Sequence, residues 1–197
     1  MAASIGSVEF YKQVMVKFDD MNPKNIFGDN HPLIFAAGSG KLEICKHIMG
    51  ELEDKNPARF DGVTPLSVAA HLGHYEVFKF IIANADDKNP ATLNGVTPLH
   101  IAAQNGDYEI CKLIITNVDN KNPATNAGAT PLFLAAQDGH YKLFMLIFES
   151  MDNTNKSLLD NTNKHFPLLI AARGGHLKIC KIILEDFITV QLENFWK

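Results

Sequence analysis

The chain has 197 residues, of which 46% are hydrophobic and 20% charged, and its net charge is −4. This is the composition of an ordinary folded domain or repeat array and excludes a disordered chain. Charges of both signs are interspersed, which gives no basic patch for nucleic acid or an anionic membrane. Three cysteines are too few for a disulfide scaffold, and no run approaches the roughly 18 apolar residues of a membrane span.

The N-terminal "MAASIGSVEFYKQ" lacks a charged segment followed by an apolar core, so no signal peptide is expected. The expected location is intracellular, cytoplasmic or nuclear. The stretch "VEFYKQVMVKFDDMNPKN" follows, reading as one helix and a turn. Five similar lines come next: "PLIFAAGSGKLEICKHIM", "PLSVAAHLGHYEVFKFII", "PLHIAAQNGDYEICKLII", "PLFLAAQDGHYKLFMLIF" and "PLLIAARGGHLKICKIIL". Their prolines, Pro32, Pro65, Pro98 and Pro131, are 33 residues apart, and Pro167 follows after 36.

Each line encodes two helices. Threonine before proline suits an N-cap, and proline suits the first helical position, where its missing N–H costs nothing. An Ala-Ala pair lets a neighbouring helix approach closely. Gly40, Gly73, Gly106, Gly139 and Gly175 end the first helix. A second helix with apolar residues at helical spacing follows. Segments such as "DKNPATLNG" then read as extended, hairpin-like loops, because asparagine before proline is driven out of the helical region. One such unit cannot bury its apolar face alone, so the units must stack.

The 33-residue period and lines such as "GVTPLHIAAQNGDYEICKLII" resemble the ankyrin repeat family over residues 28–190 or so. The expected architecture is an all-α ankyrin-type repeat solenoid. A half-repeat capping helix spans 1–27, and full repeats span 28–60, 61–93 and 94–126. A repeat with a longer loop spans 127–162, and a fifth, acting as C-terminal cap, spans 163–197. In two places the chain departs from the family pattern. "NADDKNPA" and "NVDNKNPA" stand where a glycine and a short loop usually end the second helix. Asp29 and His31, and later Lys164 and Phe166, replace the usual Gly and Thr in the terminal units. Phe187, Leu192, Phe195 and Trp196 either fold back over the last open face or mark a continuation into another repeat.

Cys45, Cys111 and Cys180 each lie 13 residues after their proline, at a position held by Phe78 and Phe144 in the alternate units. Adjacent helices sit roughly 8–10 Å apart, so cysteines two units apart are far beyond the reach of a disulfide or of a shared zinc ion. They read as small buried hydrophobes. The resemblance implies that His74, His140, His176 and His100 make structural hydrogen bonds between adjacent units. "GSGK" at 38–41 falls on an inter-helix turn and is not a phosphate loop. Glu43, Glu76 and Glu109 precede Lys46, Lys79 and Lys112 by three residues, as on a solvated helix face. Lys142 and Lys178 make that face more basic toward the C-terminal end. "DNTNKSLLDNTNK" (152–164) reads as an exposed loop.

No catalytic residue, metal or cofactor is expected. No nucleophile is paired with a base at one site, so a non-catalytic module is expected, a monomer with neither nucleic-acid binding nor membrane insertion; the resemblance implies that it takes a protein partner on the concave face. That face comprises hairpin tips and first-helix ends. The tips are Phe60, Asp61 and Val63; Leu93, Asn94 and Val96; and Asn126, Ala127 and Ala129. The helix ends are His71, Leu72, Gln104, Asn105, Gln137, Asp138 and Arg173. Phe60, Val63, Leu72, Leu93 and Val96 form an apolar cluster at positions expected to meet solvent. The alternative is a regulatory or targeting part of a larger enzyme, channel or secreted effector.

Overall fold

A computed structural model describes residues 31–151 and 167–195; beyond Asp186, the only side chain described is that of Ile188. The capping half-repeat, the 152–164 loop, Asp29, Lys164, Phe166 and the side chains of Phe187, Leu192, Phe195 and Trp196 lie outside the described set. The described residues form ten helices and no strand. They are α1 (Pro32–Gly38), α2 (Leu42–Glu51), α3 (Pro65–His71), α4 (Tyr75–Asn84), α5 (Pro98–Asn105), α6 (Tyr108–Ile115), α7 (Pro131–Gln137), α8 (Tyr141–Ser150), α9 (Pro167–Arg173) and α10 (Leu177–Phe195). The chain divides into two compact units, Met1–Leu93 and Asn94–Lys197.

Odd-numbered helices start where the sequence expects. Thr64 Oγ1 accepts the Ser67 N–H at 3.2 Å while Ser67 Oγ accepts the Thr64 N–H at 2.9 Å, a reciprocal cap. Thr130 caps α7 through the Phe133 N–H, and His31 Nδ1 takes the Leu33 N–H ahead of α1. The glycine that follows each first helix, such as Gly73 or Gly139, adopts positive φ and turns the chain into the second helix.

In the first unit α1 packs on α2 and α3, and α4 packs on α2 and α3. The second unit repeats the pattern: α5, α7 and α9 pack in a row, as do α6, α8 and α10, and each odd helix packs on the even helix after it. The alanine pairs sit in these contacts, with Ala69, Ala70, Ala102, Ala103, Ala135 and Ala136 fully buried. The cores also bury Leu66, Phe78 and Ile81 in the first unit, and Leu99, Ile110, Ile114, Phe144 and Ile147 in the second.

The segment Asp/Asn-Lys-Asn-Pro replaces the family's glycine by making three kinds of bond. Lys55 Nζ donates to the carbonyls of Met49 and Leu52, and Lys88 Nζ to those of Ile82 and Ala85. Lys121 Nζ donates to those of Ile115 and Val118. Each lysine thus satisfies carbonyls that the end of a second helix leaves orphaned. The residue before it, Asp54, Asp87 or Asn120, accepts the N–H two residues on and fixes the turn. The asparagine after it reaches forward: Asn56 Oδ1 accepts the Leu66 N–H at 3.0 Å, and Asn122 Oδ1 accepts the Leu132 N–H at 3.0 Å. Loop and next helix are thereby locked together.

Two stability predictions follow from this architecture. Lys88→Met keeps the aliphatic stem but leaves the Ile82 and Ala85 carbonyls without their donor, and it should cost about 1–3 kcal/mol by urea unfolding. A loss within about 0.5 kcal/mol would make the lysine a surface ornament. Cys111 is fully buried at the position Phe144 holds one repeat later. Cys111→Phe should therefore overpack and cost roughly 1–3 kcal/mol, whereas an unchanged melt would show room that the packing does not leave.

Candidate interaction surface and the groups excluded from chemistry

The thiols are packing groups. Cys45 and Cys111 are buried and Cys180 is half-buried, so the expectation of three buried sulfurs holds for two. Burial pushes the Cys45 thiol up to about 12, outweighing the lowering effect of a backbone hydrogen bond. Burial, and then the nearby Asp107 carboxylate, also raise the Cys111 thiol. Neither supplies thiolate near neutral pH, which a nucleophile needs.

Four histidines, His74, His140, His176 and His100, are bonded between repeats. His74 Nε2 donates to the Gly38 carbonyl at 3.0 Å, His140 Nε2 to Gln104 at 3.1 Å and His176 Nε2 to Gln137 at 3.0 Å. A side chain at Gly106 or Gly139 would collide with these rings, since an added Cβ would lie 2.6 Å from His140 and 2.4 Å from His176. Asp107 stands at the equivalent position of the middle repeat and turns back to cap its own helix, accepting the Ile110 N–H at 3.1 Å. His100 is buried: its Nδ1 takes the Thr97 N–H at 3.1 Å and its Nε2 donates to the Ala129 carbonyl at 3.1 Å. Its ring is therefore a neutral tautomer built into the cap of α5.

Two of the loops between repeats, one in each unit, close as tight tips. In the first unit the Arg59 N–H meets the Val63 carbonyl at 2.9 Å and the Gly62 N–H meets the Arg59 carbonyl at 3.0 Å. Gly62 has φ +82° and lies against Thr92, 2.7 Å from where a Cβ would sit, so only glycine fits. The Leu93 N–H donates to the Asp61 carbonyl at 3.0 Å, which brings successive tips side by side. The second unit repeats this: Thr125 N–H to Ala129, Gly128 N–H to Thr125, and Asn126 N–H to the Asn94 carbonyl at 3.0 Å.

These bonds sort the expected contact residues. Phe60 and Leu93 are 68% and 71% exposed, and Leu72 is 51% exposed. Val63 and Val96 are half-buried. Asp61 is half-buried too, and its carboxylate takes the Val63 N–H at 3.1 Å and Arg59 Nη2 at 3.1 Å, so it builds the tip. Asn94, Asn126, Ala127, His71, Gln104, Asn105, Asp138 and Arg173 are exposed, while Ala129 and Gln137 are half-buried. Leu72 lies at the far end of α3 from the tips, on the order of 10 Å along a seven-residue helix. The first unit therefore presents apolar groups at both ends of α3 rather than one contiguous cluster.

Two members of this surface escape the tip-and-helix-end scheme. Phe35 on α1 is exposed, one turn before the first-helix end position. The equivalent residues Val68, Ile101, Leu134 and Ile170 are half-buried, so an aromatic ring at that position was the available signal. Arg59 lies over the Phe60 ring, its guanidinium carbon 5.7 Å from the centroid. On the outer face Lys46 pairs with Glu43 at 2.7 Å, but Lys79 lies over the Tyr75 ring and Lys178 over Tyr141, at 6.0 and 5.8 Å. The expected ladder of Glu–Lys pairs is thus partly a ladder of lysines on tyrosines.

Short helix pairs joined by glycine turns, with bonded tips between them, define an all-α helix-pair repeat protein. A family model described as ankyrin repeats (3 copies) matches residues 1–92 and 84–157, and the chain belongs to the ankyrin repeat family. The comparison with curated proteins gives no match. Ankyrin repeats are in general protein–protein interaction modules. Among the described residues, no helix is long and apolar enough to cross a membrane.

The buried ring of His100 makes stability depend on pH. Burial holds its pKa below the ordinary value, against the raising effect of the Ala129 and Pro123 carbonyls. The unfolded chain takes up a proton near pH 6.5, which the folded ring resists. The stabilisation is thus complete above that pH and is lost as pH falls through it toward the lower folded value. His100→Ser copies the non-titrating cap of Thr64 and Ser67. The stability difference between wild type and His100→Ser should shift against wild type as pH falls from about 7.5 to about 5. A difference that stays flat in urea titrations over that range would contradict the assignment.

Proposed function

We propose that the protein is a non-catalytic interaction module. It would capture a protein partner on the side of its repeats expected to be concave, using Phe60, Leu93 and Leu72 as apolar anchors. The proposed repeat boundaries fall after residues 27, 60, 93, 126 and 162. The observation that carries the reading is the exposure of Phe60 and Leu93 on bonded tips. Asn126 holds the same tip position in the next repeat, and its N–H makes the same tip-to-tip bond that the Leu93 N–H makes. The fold therefore does not require an apolar side chain there, and large exposed apolar groups at such positions suit a partner. Val63 and Val96, half-buried, would add apolar contact beside the anchors, and Asn94, Asn126, Gln137, Asp138 and Arg173 would supply the polar, register-setting remainder.

A non-catalytic role is supported by what several candidate nucleophiles and bases already do: the Cys45 and Cys111 thiols are buried with raised pKa, and His74, His140 and His176 hold carbonyls. A cytoplasmic or nuclear location belongs to the same proposal and suits free thiols.

Phe60→Ala combined with Leu93→Asp should abolish capture of the partner, identified by pull-down and mass spectrometry on wild type, while the circular dichroism melt stays nearly unchanged. A collapsed melt would make these residues structural, and undiminished capture would move the site elsewhere.

A further inference from the structure

Two loops of the first unit repeat one layout of apolar and acidic groups. Ala58 and Phe60 are exposed with Arg59 half-buried between them, and Ala91 and Leu93 are exposed with Thr92 half-buried between them. The bond from the Leu93 N–H to the Asp61 carbonyl sets these two arms side by side, so the exposed apolar residues stand on neighbouring arms. Carboxylates gather where each loop leaves its second helix. Glu51, Glu53 and Asp54 stand at the end of α2 and just past it, and Asp86 and Asp87 stand just past α4. All five are exposed.

The cations of the same loops decide the sign of this surface. Residues 51–61 and 86–88 hold six carboxylates against three cations. Lys55 Nζ donates to the Met49 and Leu52 carbonyls, and Lys88 Nζ to those of Ile82 and Ala85. Arg59 Nη2 pairs with Asp61 at 3.1 Å. All three cations are thus committed to the protein's own groups. Asp54 and Asp87 each accept one backbone N–H, from Asn56 and Asn89. Among the described residues, none of the five exposed carboxylates is in an ion pair. The exposed lysines of this unit stand elsewhere: Lys41 precedes α2, Lys46 pairs with Glu43 on α2, and Lys79 lies over Tyr75 on α4.

We propose that the partner segment taken by these tips is basic: an extended stretch with apolar side chains for Phe60 and Leu93 and lysine or arginine for the carboxylates at the loop bases. This rests on the reading of the tips as the partner site. The apolar residues supply affinity by desolvation, and the carboxylates steer the approach and fix the direction of the segment. An acidic segment would meet like charges, with the loop cations already occupied. Glu53 is seven residues from Phe60, and Asp86 is seven from Leu93, which is at most about 25 Å of chain. A twelve-residue extended segment spans about 40 Å, so one segment reaches a tip and a loop base together.

The test is a phage-displayed library of random twelve-residue peptides, selected on wild type and counter-selected on Phe60→Ala with Leu93→Asp. Enriched peptides should combine apolar residues with an excess of lysine and arginine. The most enriched peptide, synthesised, should lose about tenfold or more in affinity between about 0.05 and about 0.5 M NaCl. Glu53→Lys with Asp86→Lys should weaken its binding by about tenfold or more, with an unchanged circular dichroism melt because both positions are exposed. Glu43→Lys with Glu76→Lys makes the same change of charge on α2 and α4 and should leave the affinity within about twofold. Peptides that need Phe60 and Leu93 but carry no excess of basic residues overturn this proposal and leave the tip site standing. Peptides that bind the counter-selection variant equally well, or an absence of enrichment, overturn it together with the tip site. Binding indifferent to Glu53→Lys with Asp86→Lys, or weakened as much by the changes on α2 and α4, overturns the assignment to the loop carboxylates.

Discussion

Short helices govern this molecule. A helix of seven residues leaves more backbone groups without intrahelical partners at its ends than its interior satisfies. α1, α3, α7 and α9 are of this length. Such helices are not stable alone and persist only where packing and capping hold them. The recurring polar letters answer this requirement. Threonine and proline settle the N-termini of first helices, lysine settles the carbonyls ending second helices, and histidine ties the end of one first helix to the turn of the next repeat. Burial of alanine pairs and branched aliphatics then supplies the cohesion that capping alone cannot.

This division of labour removes most chemically suggestive residues from consideration as reactive groups. A histidine whose Nε2 proton is donated to a carbonyl, or whose Nδ1 caps a helix, is fixed in tautomer and orientation. A thiol in an apolar stack holds its proton. The lysines of the Lys-Asn-Pro segments might have been taken for a basic stripe along the loops. Instead their ammonium groups are folded back onto helix C-termini, where the macrodipole favours positive charge.

Much of the fold was legible because a repeat states its rule several times. Proline register, Ala-Ala pair and glycine turn were enough to place the described helices and their pairing. The role of Lys55, Lys88 and Lys121 was not legible, since lysine beside asparagine and proline looks like a solvated turn, and its bonds reach six residues back to carbonyls that carry no side-chain signature. The Glu–Lys ladder was misleading for a related reason. Spacing brings Glu76 and Lys79 near one another, but Tyr75 offers the same lysine a ring face. For the surface, sequence position identified Phe60, Leu72 and Leu93 but not their separation along α3. It missed Phe35, whose counterparts in other repeats are half-buried and mark the position as core-like.

A repeat protein carries its own controls, and they sharpen the search for function. A residue found at one position in every unit, with the same bond each time, belongs to the architecture. The informative residues are those whose side chain departs from what the position needs. The two compact units differ in this respect. The first places Phe35, Phe60, Leu72 and Leu93 in solvent, where the second has Ile101 half-buried and Asn105, Asn126 and Asp138 exposed. Apolar anchors bring affinity through desolvation, whereas amides and carboxylates bring direction through hydrogen bonds that must be matched.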